Sequence, residues 1–475
     1  MSATGSGTIT VLFVWVLLIA ASAFAGATDA AQWEQLVSEG NDARAAGRTA
    51  DAEKLYAQAL EAAGTFAPDD ARRAKALNNM ASLRLDQGRL AEAEPLYRQA
   101  LEIWRKRAGR EDANLSAGLN NLAELYRLQG RYQEAERNYE AAMTLRAALI
   151  ETSDGAAKLS HQLSQATMQN NLGELYRAEG RREDALRVYQ RALETRRALH
   201  GSDSVPVAAV LNNMAAAQQD LGNLDMARTL LEESLAIRRA KLGPGHRAVA
   251  GSLNNLGTVC RLQGRFAEAD DLLRQAILIW EAQLGPEHPY LGAAVNNLGE
   301  SLRAQGRHAE AEPLLRRAIA IYEKAFGPDH PELGGIVFNL AALFEVLDKR
   351  PGAETLYKRA LRIQELAHGP SSPLLGGTLE AMGRNYALQR KYSAAEGALQ
   401  RAVDLFERAA PANDAAVARC LSGLADVYVL QKRKDRAEPL YKRSLRLLEG
   451  AGGSASDAFQ KGLAHYSFAM GLKQP

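Results

Sequence analysis

Leu253-Asn254-Asn255-Leu256-Gly257-Thr258-Val259-Cys260-Arg261-Leu262-Gln263-Gly264-Arg265-Phe266-Ala267-Glu268-Ala269 is the stretch on which the fold turns. Its opening phrase occurs 42 residues earlier as Leu211-Asn212-Asn213-Met214 and 42 later as Val295-Asn296-Asn297-Leu298. A fixed period of this length signals an array of small units rather than one large core. Within the period, Leu253, Leu256 and Cys260 fall at i, i+3 and i+7, an apolar stripe along a helix. Gly264 ends that helix, because glycine enters the left-handed conformation without a Cβ clash. A second helix is predicted from Phe266 to Leu284, with Ala269, Leu272, Leu273, Ala276, Ile277 and Trp280 among its apolar residues. Gly285-Pro286 stops it, and His288-Pro289 leads into the next unit. Neither helix can bury its stripe alone, so the units must stack into a solenoid with one continuous core.

The other units register on the glycine that ends each first helix, here position 15. It is Gly47, Gly88, Gly130, Gly180, Gly222, Gly264 and Gly306, with Asp348, Arg390 and Lys432 in its place later. Alanine recurs at position 20 from Ala52 to Ala437. Tyrosine or leucine recurs at position 24, from Tyr56 through Leu273 to Tyr441, and alanine or serine at position 27. Most units carry glycine or alanine at position 8. Small residues let paired helices approach closely, and large ones fill the space left over.

This pattern resembles the tetratricopeptide repeat, over residues 31–450 and ten units. The period exceeds the usual 34 or so of that family. It is similar to the 42-residue kinesin-light-chain-like type, as are the Leu-Asn-Asn-Leu and Leu-Gly-Pro-Glu-His-Pro phrases. The resemblance implies an all-α, right-handed superhelical solenoid of about ten helix-turn-helix repeats. Residues 451–475 would add a linker and a capping helix: Phe459, Leu463, Tyr466 and Met470 form a helical stripe after the break at Gly450–Ser454. Two departures stand out. Asn121 and Asn171 lie 50 apart, so the third unit carries extra residues near Ile150–Ser160, as a longer helix pair or a protruding loop. From the eighth unit the asparagine pair decays to Phe338-Asn339, Glu380-Ala381 and Ser422-Gly423.

Residues 1–30 are of another kind. Ile9 to Phe24 is almost wholly apolar and is followed by Ala-x-Ala cleavage patterns, so a signal peptide is expected. No lysine or arginine precedes it, and the alternative is an uncleaved membrane anchor; either places the repeats outside the cytoplasm. The net charge of +2 over 475 residues gives no argument for a nucleic-acid partner. The two cysteines, Cys260 and Cys420, lie nearly four units apart and read as small buried hydrophobes.

The resemblance implies that first helices line a concave surface through positions 2, 5, 6, 9, 12 and 13. That assigns an asparagine ladder at position 6: Asn79, Asn121, Asn171, Asn213, Asn255, Asn297 and Asn339. Position 12 supplies Arg127, Arg177, Arg261 and Arg303. In related arrays such asparagines hold the backbone of an extended peptide and cations hold its carboxylates. The chemistry is sound in itself, since an amide both donates and accepts. Asparagine is also a poor residue within a helix, so its repetition requires a reason. One alternative is that the asparagines bridge adjacent first helices. Another is that Glu124, Glu174 and Glu300, three residues before Arg127, Arg177 and Arg303, satisfy those arginines. Arg261 has Thr258 at that place and is the least neutralised.

His246, His288 and His330 stand one per connection, a full unit apart, which suits turn capping rather than a metal centre. No His-Glu-x-x-His, Gly-x-Ser-x-Gly or phosphate-cradling loop occurs, so no catalytic residues, cofactor or metal are expected. The expected function is a non-catalytic protein–protein interaction scaffold that binds an extended peptide in the groove. The alternative is a structural or assembly factor of an envelope complex, acting through the convex face or by self-association.

Overall fold

The computed structural model describes residues 30–46, 48–107, 113–409, 413–453 and 456–471. The apolar N-terminal stretch and Gly47 lie outside them. All regular elements among the described residues are helical, and none of these helices is long and apolar enough to cross a membrane.

The helices come in consecutive pairs, one pair per repeat. The first five repeats are α1 (30–45) with α2 (Thr49–Ala63), α3 (Ala71–Asp86) with α4 (Leu90–Arg107), α5 (Ala113–Leu128) with α6 (Tyr132–Thr152), α7 (Gly155–Ala178) with α8 (Arg182–His200), and α9 (Val205–Asp220) with α10 (Leu224–Leu242). The next five are α11 (Arg247–Leu262) with α12 (Phe266–Leu284), α13 (Pro289–Ala304) with α14 (His308–Phe326), α15 (Leu333–Val346) with α16 (Arg350–His368), α17 (Gly376–Leu388) with α18 (Tyr392–Glu407), and α19 (Asp414–Leu430) with α20 (Lys434–Gly452). A last helix, α21, spans Asp457–Met470. The chain divides into two compact halves, Met1–Leu230 and Leu231–Pro475. Within each half a first helix packs on its own second helix, which packs on the next first helix.

Each pair closes at two points that the sequence pattern foretells. The first is the turn. Gly88, Gly130, Gly180, Gly222, Gly264 and Gly306 all take positive φ, between 71° and 81°. Asp348, Arg390 and Lys432 adopt the same left-handed conformation at 56°, 59° and 62°, although it is strained for residues with a Cβ. The second is the approach of position 8 to position 24. A Cβ on Gly257 would meet Leu273 Cγ at 2.8 Å, and one on Gly383 would meet Leu399 Cγ at 2.6 Å. Glycine there brings the helix backbone down onto the large side chain, and Leu273 and Leu399 are buried as a result.

The extra residues of the third repeat form helix, not a loop. α6 continues to Thr152 and α7 starts at Gly155 and runs 24 residues. Buried Arg146 supports this longer pair, donating to Ala113 O at 2.9 Å and to His161 Nδ1 at 3.0 Å. Most of the C-terminal glycine break is helical: α20 carries on through Gly450 to Gly452, and Gly453 (φ 77°) ends it. Beyond it, α21 lays Tyr466 and His465 against buried Tyr441. Both cysteines are free and buried, and burial pushes the Cys420 thiol up to about 12.

Candidate interaction face

The asparagines of positions 5 and 6 are half-buried along the first helices and hydrogen-bond to one another. In the N-terminal half Asn121 Nδ2 donates to Asn78 Oδ1 at 3.1 Å, Asn171 to Asn120 at 3.1 Å and Asn213 to Asn170 at 3.0 Å. In the C-terminal half Asn297 donates to Asn254 at 2.9 Å and Asn339 to Asn296 at 3.1 Å. Position 6 of one repeat thus donates to position 5 of the repeat before it. Asn79 has no such asparagine before it and reaches Asn41 Oδ1 at 3.4 Å. The ladder therefore fastens neighbouring first helices, which accounts for asparagine at unfavourable mid-helix positions. It leaves capacity over. Among the described residues Oδ1 of Asn297 and Asn339 and Nδ2 of Asn296 have no partner. Asn296, Phe338 and Asn339 line a cavity of about 420 Å³.

The arginines divide sharply. Arg127 is forked onto Glu124, with contacts of 2.6 and 2.8 Å. Burial works against its charge, but the carboxylate outweighs burial and the guanidinium pKa is raised. Arg303 is forked onto Glu300 at 2.9 and 3.0 Å, and that hydrogen bond raises its pKa. Arg177 departs from the expected pairing: it sits 2.5 Å from Asp220 of the next repeat and 3.8 Å from Glu174. Arg261 has no side-chain hydrogen bond or ion pair among the described residues, and its Nε is buried without a partner. Burial lowers its pKa, and the charges of Glu300 and Arg303 reach it from the next repeat with opposite sign.

Three features of this face escaped the sequence reading. Tyrosines at position 24 reach back through their hydroxyls, Tyr56 to Asn41 at 2.8 Å and Tyr139 to Glu124 at 2.9 Å. A spacing of 15 from a polar residue at position 9 is the signal that could have shown it. Position 13 exposes an aliphatic residue in several repeats: Leu128, Leu262, Val346, Leu388 and Leu430 are each 44–56% exposed. A third feature is a pocket of about 640 Å³ between the last repeats and α21. Two of the three histidines cap helices, His246 Nδ1 accepting from Ala248 N at 3.1 Å and His288 Nδ1 from Tyr290 N at 3.2 Å, while His330 Nδ1 accepts from Glu332 N at 3.3 Å in the turn before α15.

Models of the tetratricopeptide repeat match residues 36–106, 72–148, 164–240, 206–277, 248–324, 290–345, 332–408 and 417–451. The chain belongs to the tetratricopeptide repeat family. No curated protein matches it in sequence. Among solved structures it is similar to BtubC (BKLC) from P. vanneervenii, at 23% identity over 54% of this chain and 92% of that one, with a TM-score of 0.39. A putative kinesin light chain of Podosopora anserina with nearly identical TPR-like repeats is 26% identical over 43% of this chain and 98% of that one, at a TM-score of 0.36. Aspartyl phosphate phosphatase F from Bacillus subtilis is 16% identical over 90% and 96%, at 0.43. Tetratricopeptide arrays serve as protein-interaction scaffolds, and this chain is built as one.

Proposed function

We propose that this tetratricopeptide protein binds an extended segment of a partner protein along its first helices, in the groove that positions 5, 6, 9, 12 and 13 form. The observation that carries the reading is Arg261, a half-buried guanidinium with no counter-ion among the described residues. A buried cation without a partner costs stability unless something pairs with it. A carboxylate of a bound segment supplies that pair, in a charge-assisted and geometrically selective bond. The unused amide groups of Asn296, Asn297 and Asn339 offer both a donor and acceptors, which suits a peptide backbone of any sequence. Exposed Leu262 and Val346 on the same helices add apolar contact.

The test is to place a photo-crosslinking residue at Leu262 on α11 or at Leu278 on α12, both exposed. Crosslinks to one partner segment from Leu262 alone support the groove. Crosslinks from Leu278 alone favour the assembly role through the second helices. Export of the repeats is part of the same proposal and is tested by fractionating cells and weighing the mature chain.

A further inference from the structure

A second ladder joins neighbouring repeats, this time through their second helices. In the C-terminal half, Arg359 at position 26 pairs at 2.6 Å with Glu323, at position 32 of the repeat before it, and Arg401 pairs with Glu365 at 2.7 Å. Arg317 with Glu281 and Arg443 with Glu407 make the same pair. Four successive repeats thus seat a position-26 guanidinium on a glutamate carried by the preceding second helix.

The fourth repeat has the arginine without the glutamate. Arg191 stands at position 26 on α8, but position 32 on α6 is Ala147. Arg191 is exposed and has no ion pair or side-chain hydrogen bond among the described residues. Glu194, one turn on, does not neutralise it: that carboxylate accepts from Gln190 at 2.9 Å, and no ion pair joins it to Arg191. The ninth repeat has the same arrangement, Gln400 donating to Asp404 at 2.9 Å while Arg401 still takes Glu365.

Arg191 lines a cavity of about 350 Å³ beside the lengthened α6–α7 pair. Ile150 of α6 and Gln162, Gln165 and Gln169 of α7 line it as well. Spacings of three and four put the three glutamines on one face of α7. None of their amides hydrogen-bonds to a described residue, and Gln169 Oε1 is buried without a partner. A buried acceptor of this kind calls for a donor from outside. The group that the other four arginines hold is a glutamate carboxylate, and the guanidinium of Arg191 selects the same one. The amides beside it both donate and accept, which matches the peptide units flanking such a residue.

We infer that this cavity is a docking site for a glutamate side chain of a partner protein, its carboxylate on Arg191 and its flanking backbone on Gln162, Gln165 and Gln169. The site uses none of the asparagines or position-12 arginines of the proposed groove, and it stands or falls apart from that reading.

The probe is a fluorescent peptide of glycine and serine with one central glutamate, amidated at its C-terminus, beside the same peptide with glutamine. Both are titrated into the full chain by fluorescence polarisation. The glutamate peptide is expected to bind saturably, and the glutamine peptide about tenfold more weakly, the effect of one lost charge-assisted bond. Arg191→Gln is expected to weaken the glutamate peptide about tenfold and to leave the glutamine peptide unchanged. Ala147→Glu supplies the missing carboxylate from within. It is expected to block the peptide and to melt higher than Ala147→Gln, a gain that disappears when Arg191→Gln is added. Circular dichroism checks the fold of each variant, and Arg191→Gln carries the test if Ala147→Glu misfolds. Equal binding of the two peptides, an unaffected Arg191→Gln, or no saturable binding to the unaltered chain each overturns the inference. A glutamate preference lost with Arg261→Gln but kept with Arg191→Gln gives the peptide to the groove, so that this site falls and the groove reading gains. Dependence on Arg191 and not on Arg261 supports the site whatever becomes of the groove. Dimerisation of the unaltered chain that Arg191→Gln abolishes gives the cavity to a second copy and overturns its assignment to a partner.

Discussion

Asn339 Nδ2 donates to Asn296 Oδ1 at 3.1 Å, a hydrogen bond across 43 positions, one repeat and one residue. That offset explains how the asparagines disappear from the sequence. Phe338 replaces the position-5 asparagine in the eighth repeat, and Ala381 replaces its would-be donor at position 6 of the ninth. Donor and acceptor are lost together, one repeat apart, as a bonded pair requires. Removing one member leaves a half-buried amide unpaired, while removing both costs little. A double-mutant cycle on Asn296→Ala and Asn339→Ala, read by urea denaturation, is expected to return a coupling of about 1 kcal/mol. Strict additivity would remove the ladder as a fastening between repeats.

The strained turns of the later repeats offer a gain in stability. Arg390 holds φ at 59° with no ion pair among the described residues. The left-handed conformation costs a residue with a Cβ on the order of 1–2 kcal/mol, partly offset in glycine by the entropy of the unfolded chain. Arg390→Gly is expected to stabilise the C-terminal half by about 0.5–1 kcal/mol and to raise its melting temperature. The reverse change, Gly264→Ala at φ 75°, is expected to lower it.

Acid should loosen the junction of the eighth and ninth repeats. Glu354 on α16 accepts from Lys358 at 2.7 Å, from Lys391 at 2.5 Å and from Gln389 at 3.1 Å. Lys358 first, then Lys391, lower its pKa from 4.5 to about 2. A carboxylate with a depressed folded pKa contributes stability that is fully present above its unfolded value and lost as the pH falls through its folded value. The unaltered protein should therefore lose stability between about pH 4.5 and pH 2. Glu354→Gln should show a shallower loss over that window in thermal melts at stepped pH. Parallel profiles would show that this carboxylate does not fasten the junction.

Much of the fold was legible because its determinants are local and repeated. A glycine that needs positive φ, and a small residue facing a large one, recur at fixed positions whatever surrounds them. Even Asp348 and Lys432, which break the composition rule at position 15, keep its conformation. The candidate face was less legible, because its chemistry depends on offsets between helices. The asparagines align in sequence at constant positions, yet they bond diagonally, which only the packing of adjacent first helices reveals. Arg177 shows the same limit: its sequence neighbour Glu174 lies 3.8 Å away while Asp220, 43 residues on, takes the guanidinium. The arginine at position 12 with no glutamate three residues before it, Arg261, was distinguishable from the sequence because that neutralisation would have been within one helix turn.

The most direct measurement is a pull-down from lysate with the full chain and with Arg261→Gln, each confirmed helical by circular dichroism. Loss of the unpaired guanidinium should leave the fold intact, because it holds no partner among the described residues. The account predicts a partner recovered with the unaltered chain and depleted about tenfold or more with the variant, the effect of one charge-assisted contact. Equal recovery by both would contradict recognition through the central first helices and shift attention to the second helices and the lengthened α6–α7 pair.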